Sequence, residues 1–186
     1  MKEIFKAYPD AILNRHGRGR RQSFTFRLPA AYLLSRISGT DFDKVRAVRM
    51  TKAWWVYPWY AITLGRHTDS MHIYMSKAYF DSRKLGNNAE AWLAQMSHEL
   101  IHIQHREVFS NQLFYILSFA WDYIRHFSHD TPREREADQG TERFYELRRR
   151  VNHIFGNGTL MRTLNSPSLS DDEKIEIIKG WFDNLL

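Results

Sequence analysis

The segment MSHELIHIQHREVF, residues 96–109, carries the residue types of a metal site at helical spacing. His98 and His102 are four residues apart, so on a helix their imidazoles lie on one face and reach one metal ion. Glu99 lies about 100° around the helix from His98, where it can approach an activated water without taking a ligand position. The pattern predicts a hydrolytic metal centre with His98 and His102 as ligands and Glu99 as general base.

A third ligand must come from another element, because a catalytic zinc ion keeps three protein ligands and one open position. The chain has no cysteine, so the third ligand must be His, Asp or Glu. The segment TPREREADQG contains Glu134 and Asp138, four residues apart on one face of a predicted helix. We expect Glu134 to be the third ligand and Asp138 to orient a histidine through its free ring N–H. Glu136 points about 200° away from Glu134 and is the poorer candidate.

Each of these residues also has an ordinary structural interpretation. Glu134 follows Thr131 by three residues and could close a capping box. Asp138 alone could be a solvated helix charge, and histidines spaced by four residues are often not ligands. The combination of His-Glu-x-x-His with a later Glu-x-x-x-Asp, each on a predicted helix, favours the metal site.

Further polar residues near the two motifs have less determined roles. His105 lies on nearly the same face as the histidine pair, and we expect it to support or line the site rather than to bind the metal. Tyr123, His126 and His129 lie between the motifs and are candidates for stabilising an oxyanion or contacting substrate. The sequence does not choose among these three, and a structural role is the alternative for each.

Strand patterns in the first half and helical patterns in the second predict an α+β fold. Residues 23–28 and 43–50 are interpreted as strands, and residues 60–75 as a hairpin. Proline and glycine delimit a short helix over residues 29–39. We expect a small, mostly antiparallel sheet whose edge strand, SMHIYM, lies beside the histidine helix and pairs with an extended peptide.

The second half is predicted to be helical over residues 87–109, 111–127, 131–155 and 166–186. The buried stripe of the third of these helices is predicted to be Ala137, Phe144, Leu147, Val151 and Ile154. The segment LFYILSFAW, residues 113–121, is much shorter than the roughly 20 apolar residues of a membrane span, so we expect a buried helix.

Composition limits the class of protein. The chain of 186 residues is expected to form one domain, residues 1–186, with residues 1–22 as a flexible basic arm. The net charge of +6 and basic residues 15–21 leave nucleic acid open as a partner, although no interleaved aromatic residue supports base stacking. No signal peptide is visible, so we expect a cytoplasmic protein, and export by a dedicated machine would leave no such mark.

The two motifs together resemble the gluzincin branch of zinc metallopeptidases. More narrowly, FDKVRAVRM, AITLGR, MHIYMSKAYF, HELIHIQH and EREAD resemble the metallopeptidase domain associated with the cores of extracellular contractile injection systems, over about residues 29–140. The resemblance implies a zincin-like fold, a bound Zn²⁺, a peptide or protein substrate and association with a larger secretion or injection assembly. It implies the roles already given for His98, Glu99, His102, Glu134 and Asp138. That family often has Gln at the position of His105.

These observations lead us to expect a zinc-dependent metallopeptidase that hydrolyses peptide bonds with a glutamate-activated water. The alternative is a catalytically inactive zinc-binding domain with a structural or interaction role in a larger assembly. An open coordination position that faces a cleft distinguishes the first from the second.

Overall fold

The computed structural model describes residues 11–17, 23–53, 61–66, 70–76, 89–108, 112–126 and 131–185. All strands within these ranges precede the long helices, and the predicted α+β class is confirmed. The strands are β1 (Leu13–His16), β2 (Ser23–Phe26), β3 (Arg49–Lys52), β4 (Ala61–Arg66) and β5 (Ser70–Met75). The helices are α1 (Leu28–Ser38), α2 (Phe42–Ala47), α3 (Ala89–Glu107), α4 (Gln112–His126), α5 (Pro132–Phe155), α6 (Thr159–Asn165) and α7 (Asp171–Leu185).

The five described strands form one sheet in the order β1-β2-β3-β5-β4. Three of its pairings are antiparallel, and β3 pairs with β5 in parallel, with Met50 opposite Ile73. The predicted hairpin is confirmed, because β4 and β5 are antiparallel from Ala61 opposite Met75 to Arg66 opposite Ser70. The sheet is therefore mixed, and mostly antiparallel as expected.

The edge strand differs from the prediction. SMHIYM is β5, which is paired on both sides, by β3 and by β4. Among the described strands β4 is the outer one, and it contacts helix α3. An alternating pattern predicts one buried face but not the number of neighbours, so the parallel partner β3 was not foreseeable. An edge strand does lie beside the histidine helix, but it is β4.

Residues 43–50 were predicted to be a strand, and most of them are helical. Asp41 caps α2 because its side chain accepts hydrogen bonds from the N–H groups of Asp43, at 3.0 Å, and Lys44, at 3.1 Å. That cap satisfies two of the N–H groups that the first turn of a helix leaves without partners. The strand begins only at Arg49.

Residues 11–17, which belong to the segment predicted to be a flexible arm, are part of the fold. Leu13–His16 form β1, which pairs with β2 so that Leu13 lies opposite Phe26. Ile12 and Leu13 are buried, which anchors this segment to the core. Most of the basic stretch, residues 18–22, lies outside the described residues, as do residues 1–10.

One hydrophobic core joins the sheet to the helices. Helix α1 is largely buried in this core. Pro29 lies in its first turn, and Gly39 ends it with a φ of 72°, the left-handed conformation that favours glycine. Helices α3 and α5 pack against each other and supply core residues on their facing sides. Central members of the core are Phe26, Leu33, Met50, Ile73, Trp92, Leu100, Phe144 and Val151.

The C-terminal segment holds two helices where one was predicted. Helix α6 precedes α7, and Gly158 begins it in the left-handed conformation, with φ of 75°. Ser170 and Glu173 form the predicted capping box of α7, because Glu173 Oε2 accepts from Ser170 N at 2.7 Å. Ile154, predicted to be buried in the stripe of α5, is 56% exposed. It lies in the last turn of α5, where the neighbouring helices no longer cover it.

Helix α4 turns its apolar face outward, so the prediction of a buried helix was wrong. Arg133 of α5 holds the opposite, polar face: its Nη1 donates to Ser118 Oγ at 2.8 Å, and its Nε lies 3.3 Å from Asp122 Oδ2. Hydrophobicity identifies this helix but not which of its faces packs, and here the face that meets α5 is the polar one. The exposed fractions are 42% to 63% for Leu113, Phe114, Ile116, Leu117 and Trp121.

None of the described helices is long and apolar enough to cross a lipid bilayer.

Candidate metal centre

Helix α3 supplies the first three residues of the site from a buried position. His98, Glu99 and His102 are all buried, although each is polar. The other side of α3 is held in the core by Leu93, Met96 and similar apolar residues. Burying polar side chains is unfavourable unless they have partners, so this helix face requires compensating groups.

Helix α5 supplies those groups from its first turns. Its N-terminus is fixed by Thr131, whose side chain accepts a hydrogen bond from the N–H of Glu134 at 3.2 Å. The carboxylate of Glu134 is directed towards the histidines of α3. Only the Thr131 half of the capping box is therefore described, because the side chain of Glu134, which would close the box, lies against the histidines instead.

Gly140 lets the two helices approach closely, and sequence reasoning missed it. A Cβ at this position would lie 2.6 Å from the carbonyl oxygen of Ser97 and 2.9 Å from Cδ1 of Ile101. Ser97 immediately precedes His98, and Gly140 lies six residues after Glu134. The absent side chain therefore sets the spacing between the helix that carries the histidines and the helix that carries the carboxylates. A glycine within a helical pattern is the signal that could have revealed it.

The side chains of His98, His102 and Glu134 converge on one point. The two Nε2 atoms of the histidines are 3.0 Å apart. Glu134 Oε2 lies 3.3 Å from Nε2 of His98, and Glu134 Oε1 lies 3.6 Å from Nε2 of His102. One potential ligand atom from each residue lies within 4.8 Å of the others, which makes this group able to hold a metal ion.

These spacings fit a tetrahedral zinc ion. Zinc bonds to nitrogen and oxygen of 2.0–2.1 Å require ligand atoms about 3.3–3.4 Å apart. The two histidine nitrogens are 3.0 Å apart, and each lies 3.3 or 3.6 Å from one of the two oxygens of Glu134, so the separations bracket that value. The donor set of two imidazoles and one carboxylate is also one that zinc prefers.

Asp138 fixes the orientation and tautomer of His98. Its Oδ1 lies 3.0 Å from His98 Nδ1. An ionised carboxylate only accepts hydrogen bonds, so Nδ1 must carry the proton, and the lone pair of the neutral ring is on Nε2. That is the arrangement in which an aspartate supports a metal-binding histidine. The predicted positions of Glu134 and Asp138 thus agree with the geometry, and their roles toward a metal stay a prediction.

The electrostatics of the cluster call for a cation. Burial alone would lower the pKa of His98, but the hydrogen bond with Glu134 and the nearby carboxylates of Glu99 and Asp138 outweigh it, and the pKa is raised. Burial would raise the pKa of Glu134, yet the hydrogen bonds with His102 and His98 hold it far below its usual range. Lone pairs from three residues meet at this point, so either a proton on His98 or a bound cation would relieve their repulsion.

Glu99 is adjacent to this cluster but not part of it. It is 4% exposed, and its Oε1 accepts a hydrogen bond from Gln95 Nε2 at 3.2 Å. Gln95, one turn earlier on α3, was not identified from the sequence, although its spacing from Glu99 is typical of paired helix side chains. The uncharged amide of Gln95 orients the carboxylate of Glu99.

His105 is adjacent to the triad and belongs to a separate pair. Its Nε2 lies 3.0 Å from Glu136 Oε2, and its ring centroid lies 5.6 Å from that of His102. Burial and the neighbouring His102 lower the pKa of His105. The carboxylate of Glu136 thus pairs with His105 and not with the converging ligands, in agreement with the prediction that Glu136 is a poorer candidate for the third ligand than Glu134. The supporting role predicted for His105 stays a prediction.

The structure does not test the three candidates for contacting an oxyanion or substrate. Tyr123 and His126 lie in the last turns of α4, but their side chains fall outside the described part of the chain. His129 lies outside the described residues altogether. Their roles stay predictions.

Comparison with protein-family models, curated proteins and solved structures finds no match to this chain. The resemblance of its motifs to gluzincins and to the injection-system metallopeptidase domain is therefore an expectation from the sequence. Function must be inferred from the geometry of the site.

Proposed function

We propose that this protein is a zinc-dependent metallopeptidase whose ion is held by His98, His102 and Glu134. The supporting observation is the position of Glu134. It comes from a different helix, 32 residues after His102, yet its carboxylate lies 3.3 Å and 3.6 Å from the two histidine Nε2 atoms. An edge strand, β4, beside helix α3 is consistent with the zincin-like fold that we include in the proposal.

In the proposed reaction, each residue of the site has a separate role. A bound zinc ion supplies a Lewis acid that brings the pKa of water close to 7. Glu99 accepts the proton of the attacking water and later delivers it to the leaving amine. Gln95 holds Glu99 in place through one carboxylate oxygen. Asp138 keeps the lone pair of His98 on Nε2, and the buried surroundings of α3 strengthen these interactions by excluding water.

Glu99→Gln tests the reaction. The variant keeps size and burial but removes the base, so we expect bound zinc to remain near one equivalent and peptide hydrolysis to fall by about 10²–10⁴-fold. Glu90→Gln is the matched control, since Glu90 lies on the same helix and pairs with Arg148 instead. Full peptidase activity in Glu99→Gln protein would refute the mechanism.

A non-catalytic zinc-binding domain is the second candidate, and the burial of Glu99 favours it. A side chain only 4% exposed is enclosed, as in a structural site. In that case zinc raises the stability of the protein, and neither wild type nor Glu99→Gln hydrolyses an unfolded, protease-sensitive polypeptide such as casein. Wild type and Glu99→Gln then bind zinc equally. The partner to identify would be the larger assembly with which the domain associates.

A further inference from the structure

Lys174 is a charged residue on the buried face of helix α7. It lies one turn before Ile178 and two turns before Phe182, so the three side chains share one face of the helix. Ile178 and Phe182 belong to the hydrophobic core, and Lys174 itself is only 7% exposed. Lysine is almost never buried to this extent unless its ammonium group has a partner.

The ammonium group of Lys174 forms no ion pair or hydrogen bond with the described residues. Its Nζ is nevertheless not one of the fully enclosed polar atoms, so the small exposed part of the residue includes this nitrogen. Lys174 lines a cavity, and its ammonium group is therefore accessible from that side. A buried charge is unfavourable until it is paired, which makes this group a binding position for an anion.

The cavity is open and has a volume of about 520 Å³. It lies between the first turn of α7, the segment that joins α6 to α7, and the beginning of α1. Arg27, at the start of α1, also lines it, and its Nη2 lies 4.0 Å from Oδ1 of Asp171. Asn165 and Ser166 line the cavity with groups that can donate hydrogen bonds. Its apolar lining consists of Ala11, Leu164, Pro167 and Leu169.

We propose that this cavity binds a small organic acid, with the carboxylate at Lys174 and the apolar part of the acid against the apolar lining. The volume is within the range of about 300–1,000 Å³ that is usual for small-molecule sites. The cavity is separate from the candidate metal centre, because none of the described residues that line it belongs to α3 or α5. The inference therefore does not depend on the proposed peptidase function.

The charges around the cavity favour a monoanion. Lys174 and Arg27 carry two positive charges against the one negative charge of Asp171. Asp172 and Glu173 are exposed in the same turn of α7 and would repel a dianion such as a phosphate monoester. The N-terminus of α7 adds little, since the N–H and hydroxyl groups of Ser170 both bond to Glu173.

The test is a nuclear magnetic resonance titration of the zinc-loaded protein with sodium hexanoate. Hexanoate should shift the backbone amide signals of residues 164–174, which include the lining from α6 and α7, with a Kd of about 1 mM, as is usual for so small a ligand. Hexanamide has the same apolar tail without a charge, and hexyl phosphate carries the same tail on a dianion. Both should bind at least about tenfold more weakly than hexanoate.

Lys174→Met removes the ammonium group and keeps the length of the side chain. It should raise the Kd of hexanoate at least about tenfold. It should not destabilise the protein, because methionine suits an apolar position better than an unpaired ammonium group does. The matched control is Lys179→Met, since Lys179 lies on the exposed side of α7 and pairs with Glu176. That variant should bind hexanoate as wild type does.

Four results would overturn the carboxylate site. The first is equal binding of hexanoate and hexanamide, or no shift at residues 164–174. The second is a set of shifts around His98 and His102 instead, which would mean that hexanoate binds at the metal centre. The third is tighter binding of hexyl phosphate than of hexanoate. The fourth is a Lys174→Met variant that binds hexanoate as wild type does, or one that is much less stable, since the lysine would then be a structural residue.

Discussion

The carboxylate of Asp138 lies 3.0 Å from Nδ1 of His98, on the side of the ring opposite to the atom that faces Glu134 and His102. One side chain thereby determines which nitrogen of His98 carries a proton. The hydrogen bond links two positions 40 residues apart in the chain. Its partner Asp138 is itself 64% exposed, so it adds little to the core.

Asp138→Asn should weaken metal binding more than it weakens the fold. The amide cannot replace the negative charge and leaves the tautomer of His98 undetermined, so we expect zinc affinity to fall about 10–100-fold. Competition with a chromophoric chelator measures the affinity, and thermal unfolding of the metal-free protein measures stability. Glu142→Gln, on the next turn of α5, is the control. A zinc affinity equal to that of wild type would remove Asp138 from the site.

Glu134→Ala should abolish stoichiometric metal binding, whereas Glu136→Ala should retain it. Only the carboxylate of Glu134 converges with the two histidine nitrogens, and that of Glu136 pairs with His105. Metal analysis of the purified proteins, after dialysis against trace zinc, distinguishes them. Equal zinc content in both variants and in wild type would identify a different third ligand.

Gly140→Ala should disturb the centre through the helix spacing. The added methyl group meets a backbone carbonyl at 2.6 Å, so helices α3 and α5 must separate. We expect a loss of about 1–3 kcal/mol in the free energy of unfolding from overpacking, and a reduced zinc affinity because Glu134 moves with α5.

Gly180→Ala is the control for that substitution. Gly180 lies in α7, and a Cβ there has nothing within 4 Å. Alanine should raise stability by up to about 1 kcal/mol, since glycine is the poorer helix former. Calorimetry of both metal-free variants measures whether each substitution lowers or raises stability. If Gly140→Ala protein were as stable as wild type and bound zinc equally well, helices α3 and α5 would not be as close as described.

Zinc affinity should fall as the pH is lowered through the raised pKa of His98. Burial lowers this pKa, but the carboxylates of Glu134, Glu99 and Asp138 together outweigh burial, so His98 takes up its proton above the usual value of 6.5. The proton competes with the ion for Nε2, and we expect about a tenfold loss of affinity per pH unit below the pKa. Glu134 stays ionised throughout, because its own pKa is strongly depressed. Zinc titrations at pH values from about 5.5 to about 8.5, a range wide enough to cover one ionisation, measure this slope.

The stability of the metal-free protein should have the opposite pH dependence. A pKa raised on folding stabilises the folded state fully below the unfolded value and less as the pH rises through the folded value. The contribution of His98 is therefore complete below pH 6.5 and is lost as the pH rises through its raised pKa, whereas that of Glu134, whose pKa is depressed, is complete above 4.5. Denaturant unfolding with and without a chelator tests this, and parallel pH profiles in the two conditions would contradict it.

The sequence predicted the parts of this site that depend on local spacing. His98, Glu99 and His102 follow from one helix, and Glu134 and Asp138 from another, because side chains four residues apart share a face. The closeness of the two helices was not predictable in the same way. It depends on Gly140, which the sequence marks only as a glycine within a helical pattern, and the structure supplies its neighbour, Ser97.

The fold was predicted less completely where neighbours from distant parts of the chain decide the outcome. The outer position of β4 depends on β3, a strand of four residues from before the hairpin. The face of α4 that meets α5 carries Ser118 and Asp122, which pair with Arg133, and the apolar residues lie on the opposite face. Hydrophobic periodicity encodes neither relationship, since it reports the face of an element and not its partner.

The convergence of His98 and Glu134 has a mechanical consequence. A bound ion would join two points 36 residues apart and close a loop that contains all of α4. In a chain without cysteine, such a coordination bridge would restrict the unfolded state as a covalent cross-link does. The loop-closure relation for a cross-link of this length corresponds to about 4 kcal/mol. The ion would therefore stabilise the fold by linking α3 to α5, the two helices that flank α4 in the chain.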